Sequence, residues 1–219
     1  MKYSKTKLLI ADTFIELTQQ MRIDKISVTM IVERLNKNRK AFYYHFSNID
    51  SLIQWIYRRD LGIMLAQHFS PDKLVYEGET GCDYAEFPYY IAMKDSTDGL
   101  NHSVFFEVFA ECLRNRYEFY RNVFLFSGSS SFEDYLYNLY YPQIKSDVIT
   151  ILNDRHMGRK ELNFLATFYT GAVIFITKTR LRNRMMMDSS DEFSPFENII
   201  HDSLSLLIEE NAQKLRHHY

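Results

Sequence analysis

Between Lys5 and Met21 apolar residues return at helical intervals: Leu8, Ile10, Ala11, Phe14, Ile15, Leu17 and Met21, with Lys7, Asp12, Glu16 and Gln19 between them. The pattern predicts a first helix. Arg22 to Ile26 reads as a short connection. Ser27 has the side chain of an N-cap, and Val28, Ile31, Val32 and Leu35 then give one apolar face to a second helix of about two turns. Asn36-Lys37-Asn38 is a polar break. Asn38 can cap a third helix, Arg39 to His45, whose inward anchors are Phe42 and Phe46. After a second break at Ser47-Asn48, a longer helix begins near Ile49, with Leu52, Ile53, Trp55, Ile56 and Leu61 apolar.

The pattern then changes. Residues 69–101 hold Pro71, Gly78, Gly81, Pro88 and Gly99, and seven Asp or Glu against two Lys, yet also Tyr76, Tyr84, Phe87, Tyr89 and Tyr90. This reads as an irregular acidic linker or insertion, partly packed through its rings. Helical spacing resumes from Asn101, a candidate cap, to about Arg114, and again from Glu118 to Phe126. Ser127 to Ser131 is a loop, with Ser131 and Asp134 of capping character. A helix from Phe132 to about Asn153 should break or bend near Pro142. Lys160 to Asn183 predicts a long helix, so apolar between Phe164 and Ile176 that it should be covered on most sides. Met185 to Ser194 reads as a loop, and Pro195 opens a last helix carrying Ile199, Ile200, Leu204, Leu207, Ile208 and Leu215.

Composition supports helices. In 219 residues there are only 7 Gly and 4 Pro, too few breakers for a turn-rich β protein. The 16 Tyr and 17 Phe call for an aromatic core or a ring-lined pocket. Cys82 and Cys112 lack metal-ligand spacing and read as reduced thiols. His217-His218 has no further ligand nearby, and Met185-Met186-Met187 reads as adaptable packing. With no signal-like run and no 18-residue apolar stretch, the expected location is cytoplasmic. Net charge is -2, but its distribution is uneven: residues 1–60 carry 11 Lys and Arg against 6 Asp and Glu, and residues 61–219 carry 15 against 22. A basic head on an acidic body suits a head that meets phosphate. Nucleotide-binding glycine loops, a nucleophile elbow and a zinc-protease motif are all missing, so no enzyme and no cofactor are expected.

Two short helices joined by a tight turn, set between longer ones near the N-terminus, fit a helix-turn-helix. A helix enters the major groove only if it is short, polar outward and braced from behind. Arg39 to Phe46 meets that requirement, with Phe42 and Phe46 four apart on one face. Residues 6–56 resemble the DNA-binding domain of the TetR/AcrR family. The resemblance lies in Ile26-Ser27-Val28, in Ile31, in Phe42-Tyr43-Tyr44-His45-Phe46, and in Leu52 and Trp55. Leu52-x-x-Trp55-Ile56, the string Glu118 to Phe124, and the apolar helix near 170 further resemble the branch that holds the dihydroxyacetone-kinase operon activator.

The resemblance implies an all-α homodimer of about nine helices. Residues 1–48 would form a three-helix DNA-binding domain and residues 49–219 a helical effector-binding and dimerisation domain. The third helix would lie in the major groove, the eighth and ninth in a four-helix dimer seam, and a ligand pocket among the fourth to eighth. Position by position it implies that Ser27 and Thr29 meet phosphate, that Asn38, Arg39 and Lys40 face the groove, and that Tyr43 and His45 reach the backbone; Lys37 and Tyr44 complete the set. Three residues depart from the family pattern. Asn36 and Lys37 replace a usual Gly and an apolar residue in the turn, and Ile49 replaces a common phosphate-binding Lys. Arg39 is the candidate base reader, because a guanidinium clasps guanine O6 and N7, and Lys40 the candidate phosphate contact. Candidates for the ligand pocket are Trp55, Phe105, Phe109, Phe124, Tyr137 and Phe168. Those for the dimer seam are Phe168, Gly171, Ala172, Phe175, Ile200, Leu204 and Leu207. The reading is a regulator of transcription that binds a palindromic operator in double-stranded DNA, modulated by a small molecule or a regulatory protein. The alternative is a protein-binding coregulator or a non-transcriptional DNA-binding protein on the same fold. The acidic, aromatic segment 69–101 would serve a protein partner.

Overall fold

A computed structural model describes residues 4–78, 84–92, 99–126, 131–152 and 157–184. Among them are eight α-helices: α1 (Lys5–Gln20), α2 (Val28–Arg34), α3 (Arg39–Tyr43), α4 (Ile49–His68), α5 (Gly99–Asn115), α6 (Tyr117–Phe126), α7 (Ser131–Leu152) and α8 (Arg159–Arg182). Single 3-10 turns stand at Ile23–Lys25 and Pro71–Lys73. A two-residue antiparallel pair, β1 (Leu74–Val75) and β2 (Tyr90–Ile91), joins Leu74 to Ile91 and Val75 to Tyr90. None of the described helices is long and apolar enough to cross a membrane. The loop expected at 185–194 and the last helix lie outside the described residues, as do Ile200, Leu204, Leu207 and the histidines at 217 and 218.

Helices α1, α2 and α3 pack on one another, and α1 also leans on α6. Helix α4 leaves this head and runs into the body, where it meets α5 and α7; α7 and α8 lie along each other. One apolar core runs through both parts, from Ile10, Phe14 and Phe42 through Trp55 and Leu61 to Phe105 and Tyr140. A second, smaller cluster of Val148, Leu152, Leu165 and Tyr169 closes the far end of α7 and α8.

Among its described residues the insertion packs through its rings, as its composition implies. Segment 84–92 lies along α4, and Phe87, Tyr89, Tyr90 and Ile91 are buried. Gly62 makes the approach possible: a Cβ there would stand 2.8 Å from Phe87 Cβ and 2.9 Å from the Pro88 carbonyl. Arg58 of α4 fastens the segment. It is fully buried. It reaches Glu77 at 2.6 Å, donates to the Phe87 carbonyl at 2.7 Å, and lies over the rings of Tyr84 and Tyr89. Burial works against its charge, but Tyr135 and Glu77 more than offset this and raise its pKa.

Three local expectations change. Asn101 does not cap α5, which starts at Gly99 and places Asn101 in its first turn. Helix α7 runs through Pro142 without ending, because its packing against α4 and α8 outweighs the one backbone bond that proline forfeits. Within the described chain α8 is not covered on most sides: Phe164, Phe168 and Phe175 are 67%, 55% and 68% exposed.

Candidate functional site

The head is built by short-range chemistry. Ser27 accepts a hydrogen bond from the Met30 amide at 3.3 Å and opens α2. Helix α2 ends in a Schellman arrangement, with the Asn36 amide donating to the Glu33 carbonyl at 3.0 Å and the Lys37 amide to the Val32 carbonyl at 2.8 Å. Asn36 sits at a φ of 51°, the left-handed conformation for which glycine is the usual residue. Asparagine is among the few others that tolerate it, so the turn closes without glycine. Asn38 Oδ1 then accepts from the Ala41 amide at 3.1 Å and starts α3.

Helix α3 is shorter than Arg39 to His45: it ends at Tyr43, and Tyr44 and His45 form the turn beyond it. Phe42 and Phe46 are buried, 5.8 Å apart by ring centroid. Phe46 meets the edge of Trp55 at 5.8 Å, and the Lys7 ammonium lies 5.3 Å from the Phe46 ring and 5.1 Å from Trp55. On the outer side Lys37, Asn38, Arg39, Lys40, Tyr43 and Tyr44 are exposed, while Thr29 and His45 are half-buried. Arg39 lies back along the helix, with Nη2 donating to the Tyr43 hydroxyl at 3.2 Å. Helix α4 starts with a capping box between Asn48 and Ser51, a signal that the sequence pattern carried only as a break. Ile49 is half-buried at this start.

The body holds a ring-lined cavity between β2 and α5 to α8. Phe105 and Phe109 of α5, Phe124 of α6, and Leu136 and Tyr140 of α7 line it, with Val173 and Thr177 on the α8 side. Three of the expected pocket residues are therefore on its wall and three are not. Trp55 is buried in the core between Phe46 and Phe87. Tyr137 stacks on Tyr141 and bonds Thr167 at the surface. Phe168 points outward from α8. Tyr90, Phe106, Leu136, Tyr140, Ile144, Val173, Ile174 and Thr177 also line it and were not among the candidates. Phe106 had a local signal in its place beside Phe105, and Val173 and Ile174 in the apolar run of α8; the others come from separate elements that tertiary folding brings together. The Thr177 hydroxyl is buried with no hydrogen-bond partner. Behind Tyr90, its hydroxyl donates to Asp147 at 2.7 Å, and burial lifts the Asp147 carboxyl to about 7.

Of the expected seam, Phe168, Gly171, Ala172 and Phe175 stand on α8, and a Cβ on Gly171 would meet nothing within 4 Å.

Comparison with known proteins agrees with this architecture. Residues 101–202 match the family described as the C-terminal region of transcriptional regulators, TetR_C_8. A solved structure named dihydroxyacetone kinase operon activator DhaS superposes with a TM-score of 0.51 at 18% sequence identity, covering 94% of this chain and 97% of that one. That likeness is one of fold. Among curated proteins none matches by sequence. Residues 101–202 thus resemble the C-terminal region of transcriptional regulators, and a head of helix-turn-helix geometry precedes them.

Proposed function

We propose that the chain is a homodimer that reads a palindromic operator through α3, and that its affinity for DNA responds to an occupant of the body. One observation carries the reading: α3 is anchored by two buried rings while Arg39, Lys40, Tyr43 and Tyr44 face solvent. Residues 1–48 read the duplex. Ser27 and Thr29 meet phosphate at the start of α2, and Lys37, Asn38 and Lys40 flank the groove with Tyr43 and His45 on the backbone. Arg39 leaves the Tyr43 hydroxyl to take guanine. Two such helices must stand about 34–36 Å apart.

Residues 49–219 pair the subunits and hold the effector. The α8 stripe of Phe164, Phe168 and Phe175 supports a second copy as its cover, because three exposed rings flanking Gly171 suit close helix contact. Replacing Gly171 by Phe meets open space within the chain, so the variant should fold and sediment as a monomer. The cavity wall is apolar, which favours an uncharged ligand, and pressure on Phe124 would act on the helix that touches the head. By linkage such a ligand must bind the two DNA-affinity states unequally. A coregulator acting through segment 84–92 draws less support, since the rings of Phe87, Tyr89 and Tyr90 are turned into the core.

Selection of bound duplexes from a random pool tests the reading. A recovered palindrome whose binding falls when Arg39 becomes Ala supports it; recovery of no sequence preference, with Arg39→Ala unchanged, overturns it.

A further inference from the structure

Besides the packing of Phe46 and Lys7 on Trp55 of α4, head and body meet along one stripe of α6. Phe119, Asn122 and Phe126 stand at spacings of three and four, so they share a face. Phe119 meets the edge of Phe14 of α1 at 6.1 Å, and the Arg22 guanidinium lies 4.4 Å from the Phe126 ring. Between these two contacts Asn122 is buried. Its Nδ2 donates to the Thr18 carbonyl at 2.8 Å and the Met21 carbonyl at 2.9 Å, and its Oδ1 accepts from the Ile23 amide at 2.8 Å.

These backbone groups are the ones a helix end leaves without partners. Helix α1 stops at Gln20, and the 3-10 turn opens at Ile23. Asn122 thus caps α1 from about a hundred residues away, spending both donors and its acceptor on three points of one turn. A planar amide held at three points fixes orientation as well as distance. The ring contacts on either side are less directional. The same helix is also tied to α4: the Tyr120 hydroxyl donates to Asp60 at 3.1 Å, and Nε of Arg116, the residue just before α6, meets Asp60 at 2.8 Å. Helix α6 therefore grips the chain on both sides of α2 and α3.

We propose that Asn122 is a positioning residue for DNA reading: it sets the bearing of the α1–α3 head on the body, and so the spacing at which a dimer presents its two recognition helices, without touching DNA itself. The inference rests on the operator-reading dimer proposed above. Replacing Asn122 by Ala leaves three backbone groups unpaired and frees the head to pivot on α4.

The test compares two duplexes, the palindrome recovered by selection and the same duplex with one half-site scrambled, against full-length wild type, Asn122→Ala and Asn122→Ser. Thermal melts identify the variants that stay folded; Asn122→Ser, which keeps a small hydrogen-bonding group, covers the case in which Asn122→Ala does not fold. Loss of about tenfold on the palindrome, roughly 1.4 kcal/mol, with less than about twofold on the half-site, is the expected result for Asn122→Ala, and an intermediate loss for Asn122→Ser. Equal losses on both duplexes, or none on either, overturn the proposal while leaving operator reading intact. Wild type that binds neither duplex, or shows no preference for two half-sites over one, removes the reading beneath it.

Discussion

Head and body use aromatic residues in opposite ways. In the head Phe42 and Phe46 are a brace, and the chemistry lies in the polar side chains they push outward. In the body the rings themselves are the surface, turned inward around a cavity whose wall shows no charged group. The α2–α3 turn and the caps around it are assembled by bonds three to five residues long, at Ser27, Asn36, Asn38 and Asn48, even though the end of α1 is capped from the body by Asn122. The body is assembled by contacts across tens of residues, such as Arg58 to Phe87, Tyr90 to Asp147 and the Tyr57–Tyr140 hydroxyl pair. The surface proposed to meet a rigid duplex is made locally, whereas an enclosed space needs walls from several helices.

The sharpest way to break the comparison is to remove a brace. Phe42→Ala should lower stability by about 3–5 kcal/mol and abolish operator binding, measured by denaturant unfolding and gel shift. Retained affinity would mean that α3 does not depend on its rings. In the body, Arg58→Ala leaves Glu77 and the Phe87 carbonyl without their cation. A loss of about 3–5 kcal/mol is expected, with faster proteolysis of segment 84–92, while the folded fraction still binds DNA. Loss of specific DNA binding by that fraction would show that the two regions are not separable.

Asp147 gives a smaller, pH-dependent effect. Burial holds its folded pKa near 7 against an ordinary 3.8, with the Tyr90 hydrogen bond pulling the other way. The raised value means that the folded chain keeps a proton which the unfolded chain has lost. Its stabilisation is therefore complete below about pH 4 and is lost as pH rises through about 7. Asp147→Asn should flatten the fall in melting temperature over that window; an unchanged profile would place the titration elsewhere. Ser27→Ala, the mildest change, should remove about 1 kcal/mol through its cap, and a melt reading no loss would show that α2 starts without it.

The same contrast decides what the sequence made legible. Ser27, Asn38, Phe42 and Phe46 were readable because caps and four-residue ring spacings are local signals. The start of α4 was read only as a break, although Asn48 and Ser51 cap each other. Trp55 carried two readings, core and pocket; its covering ring, Phe87, comes from the far side of an insertion that composition marked as irregular, and it places Trp55 in the core. Arg58, in an Arg-Arg-Asp run, carried no local signal of its role; its burial depends on residues 77, 84, 87 and 89 returning to α4. Asn122 lay within a recognised string, yet its three backbone partners a hundred residues earlier left no trace in spacing. Phe168 carried two expectations, pocket and seam, and its outward direction removes it from the cavity wall.

The central claim is that α3 carries the contact with DNA, and the salt dependence of binding tests it most directly. Titrating wild type and Lys40→Ala against the selected palindrome at several salt concentrations should give a linear fall of log affinity with log salt, with a slope smaller by about 1 per subunit in the variant. Identical slopes and affinities for the two proteins would contradict the assignment of α3 to the duplex.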